Sequence, residues 1–161
     1  LDVVGRIRDQ WRERYPDLDL SPIEVIGRVR RLAALTNQRH DAVLDDLRLS
    51  RMELEVLSAL RRAGGGLRPS QLTREMLSSG AATTKRLARL EEEGLITRSP
   101  SARDRREVDV RLTDRGREIM DRVFPAQLER ERALLEPLSE AERARLGELL
   151  AKVLEPVDLV S

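Results

Sequence analysis

Apolar residues recur at helical spacing along nearly the whole chain, and that period breaks once, between residues 95 and 112. The first helical stretch, residues 2–15, sets apolar among charged positions around Trp11 and stops before Pro16, which cannot continue a helix. Ser21-Pro22-Ile23-Glu24 predicts the next start as a capping box, with serine at the cap, proline at the first helical position and glutamate at the third. From there Ile26, Val29, Leu32, Ala33, Leu35, Val43, Leu44 and Leu47 carry the period to the region of Asp46. Ser50-Arg51-Met52-Glu53 is a second capping box. It opens a helix that points Met52, Val56, Leu57 and Leu60 inward and ends at Gly64-Gly65-Gly66. A short helix over 69–76 and a longer one over 79–93 follow. Past residue 112, Thr113 begins a long helix with Ile119, Met120, Val123, Phe124 and Leu128 on its apolar side. Ser139-Glu140-Ala141-Glu142 caps the last helix, where Leu146, Leu149, Leu150, Val153 and Leu154 repeat at helical spacing.

The break lies inside residues 90–116, LEEEGLITRSPSARDRREVDVRLTDRG. Gly94 closes a helix because glycine accepts the left-handed geometry without steric cost. Residues 95–98 and 107–112 are two short strands, the second alternating Val108, Val110 and Leu112 on one face. Between them SPSARDRR is rich in turn residues and too polar to bury. A hairpin tip that gathers Arg103, Arg105 and Arg106 has little structural reason for that charge, and a phosphate backbone supplies one.

Composition narrows the classes. At 161 residues the chain is one compact domain, or one DNA-reader-sized core with helical extensions. The net charge of +1 says little, but 37% charged against 2% aromatic residues demands an aliphatic core, which favours helices on helices. Without cysteine there is no disulfide and no thiol chemistry, and one histidine leaves almost nothing for a transition metal, so neither metal nor cofactor is expected. His40 fits a surface or interface position, and Asp41, Asp45 and Asp46 fit a solvated acidic face. No nucleophile–base pair is visible, and the triple glycine follows a helix instead of opening one after a strand, which argues against an enzyme. No apolar stretch approaches membrane-spanning length and no signal-peptide pattern opens the sequence, so a cytoplasmic protein without membrane contact is expected. The apolar stripes of the terminal helices are longer than a small central domain can cover, and a symmetric homodimer is the common remedy.

Chemistry concentrates in the middle. Between Arg61 and Arg89 the cations are Arg61, Arg62, Arg68, Arg74, Lys85, Arg86 and Arg89, against Glu75 alone. Short helix, tight turn, longer helix and arginine-tipped hairpin, in that order, make a helix-turn-helix followed by a wing. At ~100° per residue, Thr83, Leu87 and Leu90 share the core-facing stripe of the second helix. Ala81, Lys85, Ala88 and Arg89 lie roughly opposite, with Thr84 at the margin. Small side chains plus cations suit a major groove, so Ser79 at the helix start, Ala81, Thr84, Lys85 and Arg89 are the candidate contacts to duplex DNA. Arg86 leans toward the core, where it either snorkels into solvent or meets an acidic group or anionic ligand.

Together the wing block with its DRR tip and LTDRG exit, LSRMELEVLSALRRAG and MLSSGAATTKRLARLEEEGL resemble the multiple-antibiotic-resistance-regulator (MarR) family of winged-helix transcription factors, over about half the chain. The resemblance implies a mainly helical (α+β winged helix-turn-helix) fold with a two-stranded wing. It implies a homodimer whose helical dimerisation region comprises 1–47 and 114–161, and a DNA-binding lobe over 48–113. Such a protein would regulate transcription, as a repressor, on a pseudopalindromic operator. By that analogy Asp104 and Arg106 brace the wing while Arg103 or Arg105 enters the minor groove, where a narrow A·T-rich tract favours an inserted arginine. The added N-terminal helix bearing Trp11 is similar to the urate-responsive branch. That branch would place an anionic effector against Trp11, Glu55 and Arg86, with Glu55 where aspartate is usual. Trp11 equally suits a core anchor for the added helix. A winged-helix adaptor that binds protein instead of DNA is the alternative.

Overall fold

The computed structural model describes residues 2–38, 42–101 and 107–158. The chain divides into two compact units, one ending at Arg48 and one beginning at Leu49.

In the N-terminal unit, helix α1 (Val3–Arg14) is capped by Asp2, whose Oδ1 accepts the Gly5 N–H at 2.7 Å. A π-helical turn, Ile23–Gly27, leads into α2 (Arg28–Gln38), and α3 (Ala42–Asp46) follows. Gly27 lets α1 approach closely: a Cβ there would meet Val4 Cγ1 at 2.8 Å. The capping box expected at Ser21 does not form. Asp19 accepts both the Ser21 N–H and its hydroxyl at 2.9 Å, and Glu24 turns to Arg8 and Arg28 instead. A carboxylate shared by two guanidiniums gains more than one bonded to a single backbone N–H. Arg28 also reaches Asp2 at 2.8 Å, so an ion-pair chain ties α1 to the turn.

The second unit holds α4 (Arg51–Ala63), α5 (Pro69–Glu75), α6 (Gly80–Glu92), the antiparallel pair β1 (Ile96–Pro100) and β2 (Val108–Leu112), α7 (Asp114–Leu134) and α8 (Glu140–Asp158). The fold is mainly helical with a two-stranded wing, as the pattern predicts. Its core collects Val56, Leu57 and Leu60 of α4, Leu72 of α5, Leu87 and Leu90 of α6, Ile96 and Val110 of the wing, and Met120 and Val123 of α7. Met52 is only half-buried, and Val108 is exposed despite its place in the alternation. Gly94, left-handed at φ 69, ends the α6 segment as expected. The wing is wider than the sequence suggests: Leu67 exchanges backbone hydrogen bonds of 3.0 and 2.8 Å with Val110. A single bridging residue carries no periodicity to read.

Several apolar side chains find no cover. On α8, Leu146, Leu149, Leu150, Val153 and Leu154 are exposed, as are Phe124 and Leu128 on α7, and Trp11, Val29, Leu32 and Leu35 in the N-terminal unit. No described helix is long and apolar enough to cross a membrane.

Candidate nucleic-acid interface

The turn between α5 and α6 is built by backbone bonds. Ser78 N–H reaches Thr73 O and Leu77 N–H reaches Arg74 O, both at 3.1 Å, with Leu77 left-handed at φ 46. Ser79 then caps α6, its Oγ accepting the Ala82 N–H at 3.2 Å. Thr83, Leu87 and Leu90 are buried, and the Thr83 hydroxyl is satisfied 3.1 Å from Thr73 Oγ1. Ser79, Ala81, Thr84, Lys85 and Arg89 are exposed and Ala88 is half-buried. The Thr84 hydroxyl donates to Gly80 O at 2.9 Å, which leaves its oxygen lone pairs facing outward as acceptors.

The basic run is far less bare than its sequence. Arg61 pairs with Asp121 at 2.8 Å, Arg62 with Glu75 and Arg68 with Glu107 at 2.6 Å. Lys85 and Arg74 make no ion pair among the described residues. Lys85 therefore presents a bare cation on a face whose neighbours, Ala81 and Thr84, are small. Arg89 is engaged: its Nη1 donates to Glu53 Oε1 at 2.9 Å and Oε2 at 3.0 Å, and the Glu53 side chain is only 4% exposed. Sequence reasoning assigned Glu53 to its cap alone and gave no signal for this second partner.

Arg86 is half-buried and donates to Ser78 Oγ at 2.7 Å, so it meets a hydroxyl and no carboxylate among the described residues. Glu55, half-buried on α4, is not bonded to it. Trp11 belongs to the N-terminal unit, 46% exposed, its ring centroid 5.7 Å from that of Tyr15.

Among the described residues, two ion pairs tie the wing to the helical segments before it. Arg98 Nε on β1 donates to Glu91 Oε2 at 2.7 Å, and this guanidinium holds the Glu91 carboxyl below the usual glutamate range. The Arg68–Glu107 pair fastens the base of β2 to the segment before α5. Neither pair was legible in the sequence. Arg103, Asp104, Arg105 and Arg106, like His40 and Asp41, lie outside the described residues.

Residues 49–107 match the model of the MarR family. Over 152 residues the chain is 39% identical to the HTH-type transcriptional regulator PecS of Dickeya dadantii (strain 3937), covering 93% of this chain and 92% of that protein. A mutant MarR from E. coli, solved in complex with operator DNA, matches with a TM-score of 0.66 at 30% identity, over 81% of this chain and 96% of that one. A MarR/EmrR family transcriptional regulator from Acinetobacter sp. ADP1 shares the fold with a TM-score of 0.74 at 24% identity, over 88% and 99% of the two chains.

Proposed function

Because the chain belongs to the MarR family of transcriptional regulators, we propose that it works as a homodimeric, effector-responsive repressor on a pseudopalindromic DNA operator. Helix α6 enters the major groove through Ser79, Ala81, Thr84 and Lys85, while Arg89, at the far end of the same face, stays paired with Glu53. The wing tip reaches the minor groove through Arg103 and Arg105, braced by Asp104 and Arg106. One observation carries this reading: Lys85 is an exposed cation without an ion-pair partner among the described residues, on a helix face of small side chains. That face admits a groove wall closely and leaves the ammonium to seek a phosphate or a base edge.

Homodimer formation has its support in the uncovered apolar side chains of α7, α8 and the N-terminal unit, an extent unusual for a monomer surface. Segments 1–47 and 114–161 are the dimerisation region in this reading, and 48–113 the DNA-binding lobe. An anionic small molecule then weakens operator binding by engaging Arg86, whose guanidinium meets only a neutral hydroxyl among the described residues. Trp11 and Glu55 are the further effector residues. The ligand must bind the free and DNA-bound states differently to shift anything, and a 5–150-fold change in DNA affinity corresponds to about 1–3 kcal/mol of coupling.

The test is selection of a binding site from random duplexes, followed by affinity measurement across salt concentrations. Repressor function predicts a steep fall of affinity with salt, and Lys85→Ala lowers affinity for the selected site at least several-fold. A protein adaptor would show neither. Binding that ignores salt and Lys85 would sink the reading.

A further inference from the structure

Arg89 shares a helix face with Ala81 and Lys85, at the four-residue spacing that keeps side chains aligned along a helix. A free guanidinium there would add a phosphate contact wherever the helix meets a duplex, whatever its sequence. The fold holds it back. Its partner Glu53 is 3% exposed, and its carboxylate is oriented independently of Arg89: Oε2 accepts the Ser50 N–H at 2.7 Å and the Ser50 hydroxyl at 2.8 Å. Arg89 Nη1 spans both carboxylate oxygens. A capping box works with glutamine as well as glutamate. The cap thus needs an acceptor at position 53, and only the pair with Arg89 uses a negative charge.

We propose that Glu53 is a specificity-determining positioning residue, which holds the Arg89 guanidinium on the protein and so keeps it out of sequence-blind phosphate contact. This rests on α6 being the groove-entering helix. Discrimination between operator and other DNA then depends on the ratio of two affinities, and a tethered cation raises that ratio by lowering the non-specific one.

The experiment measures affinity against salt concentration for a selected duplex and an unrelated duplex, with the full chain as wild type, Glu53→Gln, Arg89→Gln and the double variant. Glutamine at 53 keeps the cap acceptor and removes the carboxylate charge that pairs with the arginine. The expected results are a log–log salt slope in Arg89→Gln equal to wild type, and a slope steeper by about one in Glu53→Gln. Tighter binding of Glu53→Gln to the unrelated duplex, with a specificity ratio several-fold lower, accompanies that slope. The double variant returns to the wild-type slope, because no cation is left to release. A shallower slope in Arg89→Gln overturns the proposal, since Arg89 then already sits on phosphate. A Glu53→Gln slope equal to wild type, with equal loss on both duplexes, overturns it too and leaves only a structural role. If Glu53→Gln fails to fold by thermal melting, the slope of Arg89→Gln alone decides. Wild type that binds duplex DNA while this cycle fails rejects the tether alone, and wild type without salt-dependent binding rejects the DNA reading and the tether with it.

Discussion

Gly116, in the first turn of α7, lies so close to the backbone carbonyl of Leu95 that a Cβ at 116 would overlap the Leu95 oxygen and stand 3.1 Å from Leu112 Cδ2. That carbonyl cannot retreat freely. It accepts the Thr113 N–H at 3.0 Å, while the Thr113 hydroxyl holds Gly94 O at 2.7 Å and caps α7 through the Gly116 N–H at 3.1 Å. The junction of wing and long helix is thus pinned from three sides around a missing side chain. Gly116→Ala is expected to lower the free energy of unfolding by about 3 kcal/mol, since backbone must move to admit the methyl group. Urea unfolding measures it, and a loss under a few tenths of that size would contradict the contact.

Leu77 makes the opposite prediction. It occupies the left-handed position that ends α5, at φ 46, and 78% of it is exposed. A leucine gains little packing there and carries a left-handed penalty of roughly 1–2 kcal/mol, which glycine avoids. Glycine also costs more backbone entropy on folding, so the net gain is smaller. Leu77→Gly should raise the melting temperature by a few degrees. A fall would show that the Leu77 side chain is held by contacts absent from the single chain.

What the sequence made legible follows from distance along the chain. Ser50 finds Glu53, Ser79 finds the Ala82 N–H and Ser139 finds Glu142, each within one helical turn, so caps and helix starts were readable. The Ser21 start was readable too, but not the fate of its capping box, because Asp19, two residues earlier, takes the Ser21 donors. The faces of α6 follow from 3.6 residues per turn and hold: Thr83, Leu87 and Leu90 are inside, Lys85 outside. Charge was not readable in this way. Arg61, Arg68 and Arg89 meet carboxylates 60, 39 and 36 residues away, and only the fold decides which cations are left bare. The Leu67–Val110 bridge belongs to the same long-range class.

Two capping boxes of the same sequence type should differ in worth. Ser50 bonds to a carboxylate that is buried and paired with Arg89, whereas Ser139 bonds to Glu142 on α8, a helix that buries none of its residues. Ser50→Ala leaves a buried oxygen short of a donor and is expected to cost about 1–2 kcal/mol, while Ser139→Ala costs about 0.5 kcal/mol. Chemical denaturation of the two variants side by side checks the order. Equal losses would mean that the depth of Glu53 adds nothing to its cap.

The pH response of the wing root follows from Glu91. Hydrogen bonding from Arg98, chiefly through its side chain, lowers the Glu91 carboxyl below the usual glutamate range in the folded chain. A group depressed on folding binds fewer protons folded than unfolded. Its contribution is therefore complete above the unfolded value of about 4.3 and is lost as the pH falls through the folded one. The pair is partly open to solvent, at 35% and 36% side-chain exposure, so screening keeps that contribution small. Glu91→Gln should lower the unfolding midpoint at pH 7 and converge on wild type in acid once the pH is below the folded Glu91 value, with the gap at pH 7 narrowing in high salt. Carboxyl NMR on wild type should find Glu91 titrating lower than the exposed glutamates. A gap that persists unchanged into acid would mean that Glu91 holds β1 to α6 by packing and not by its charge.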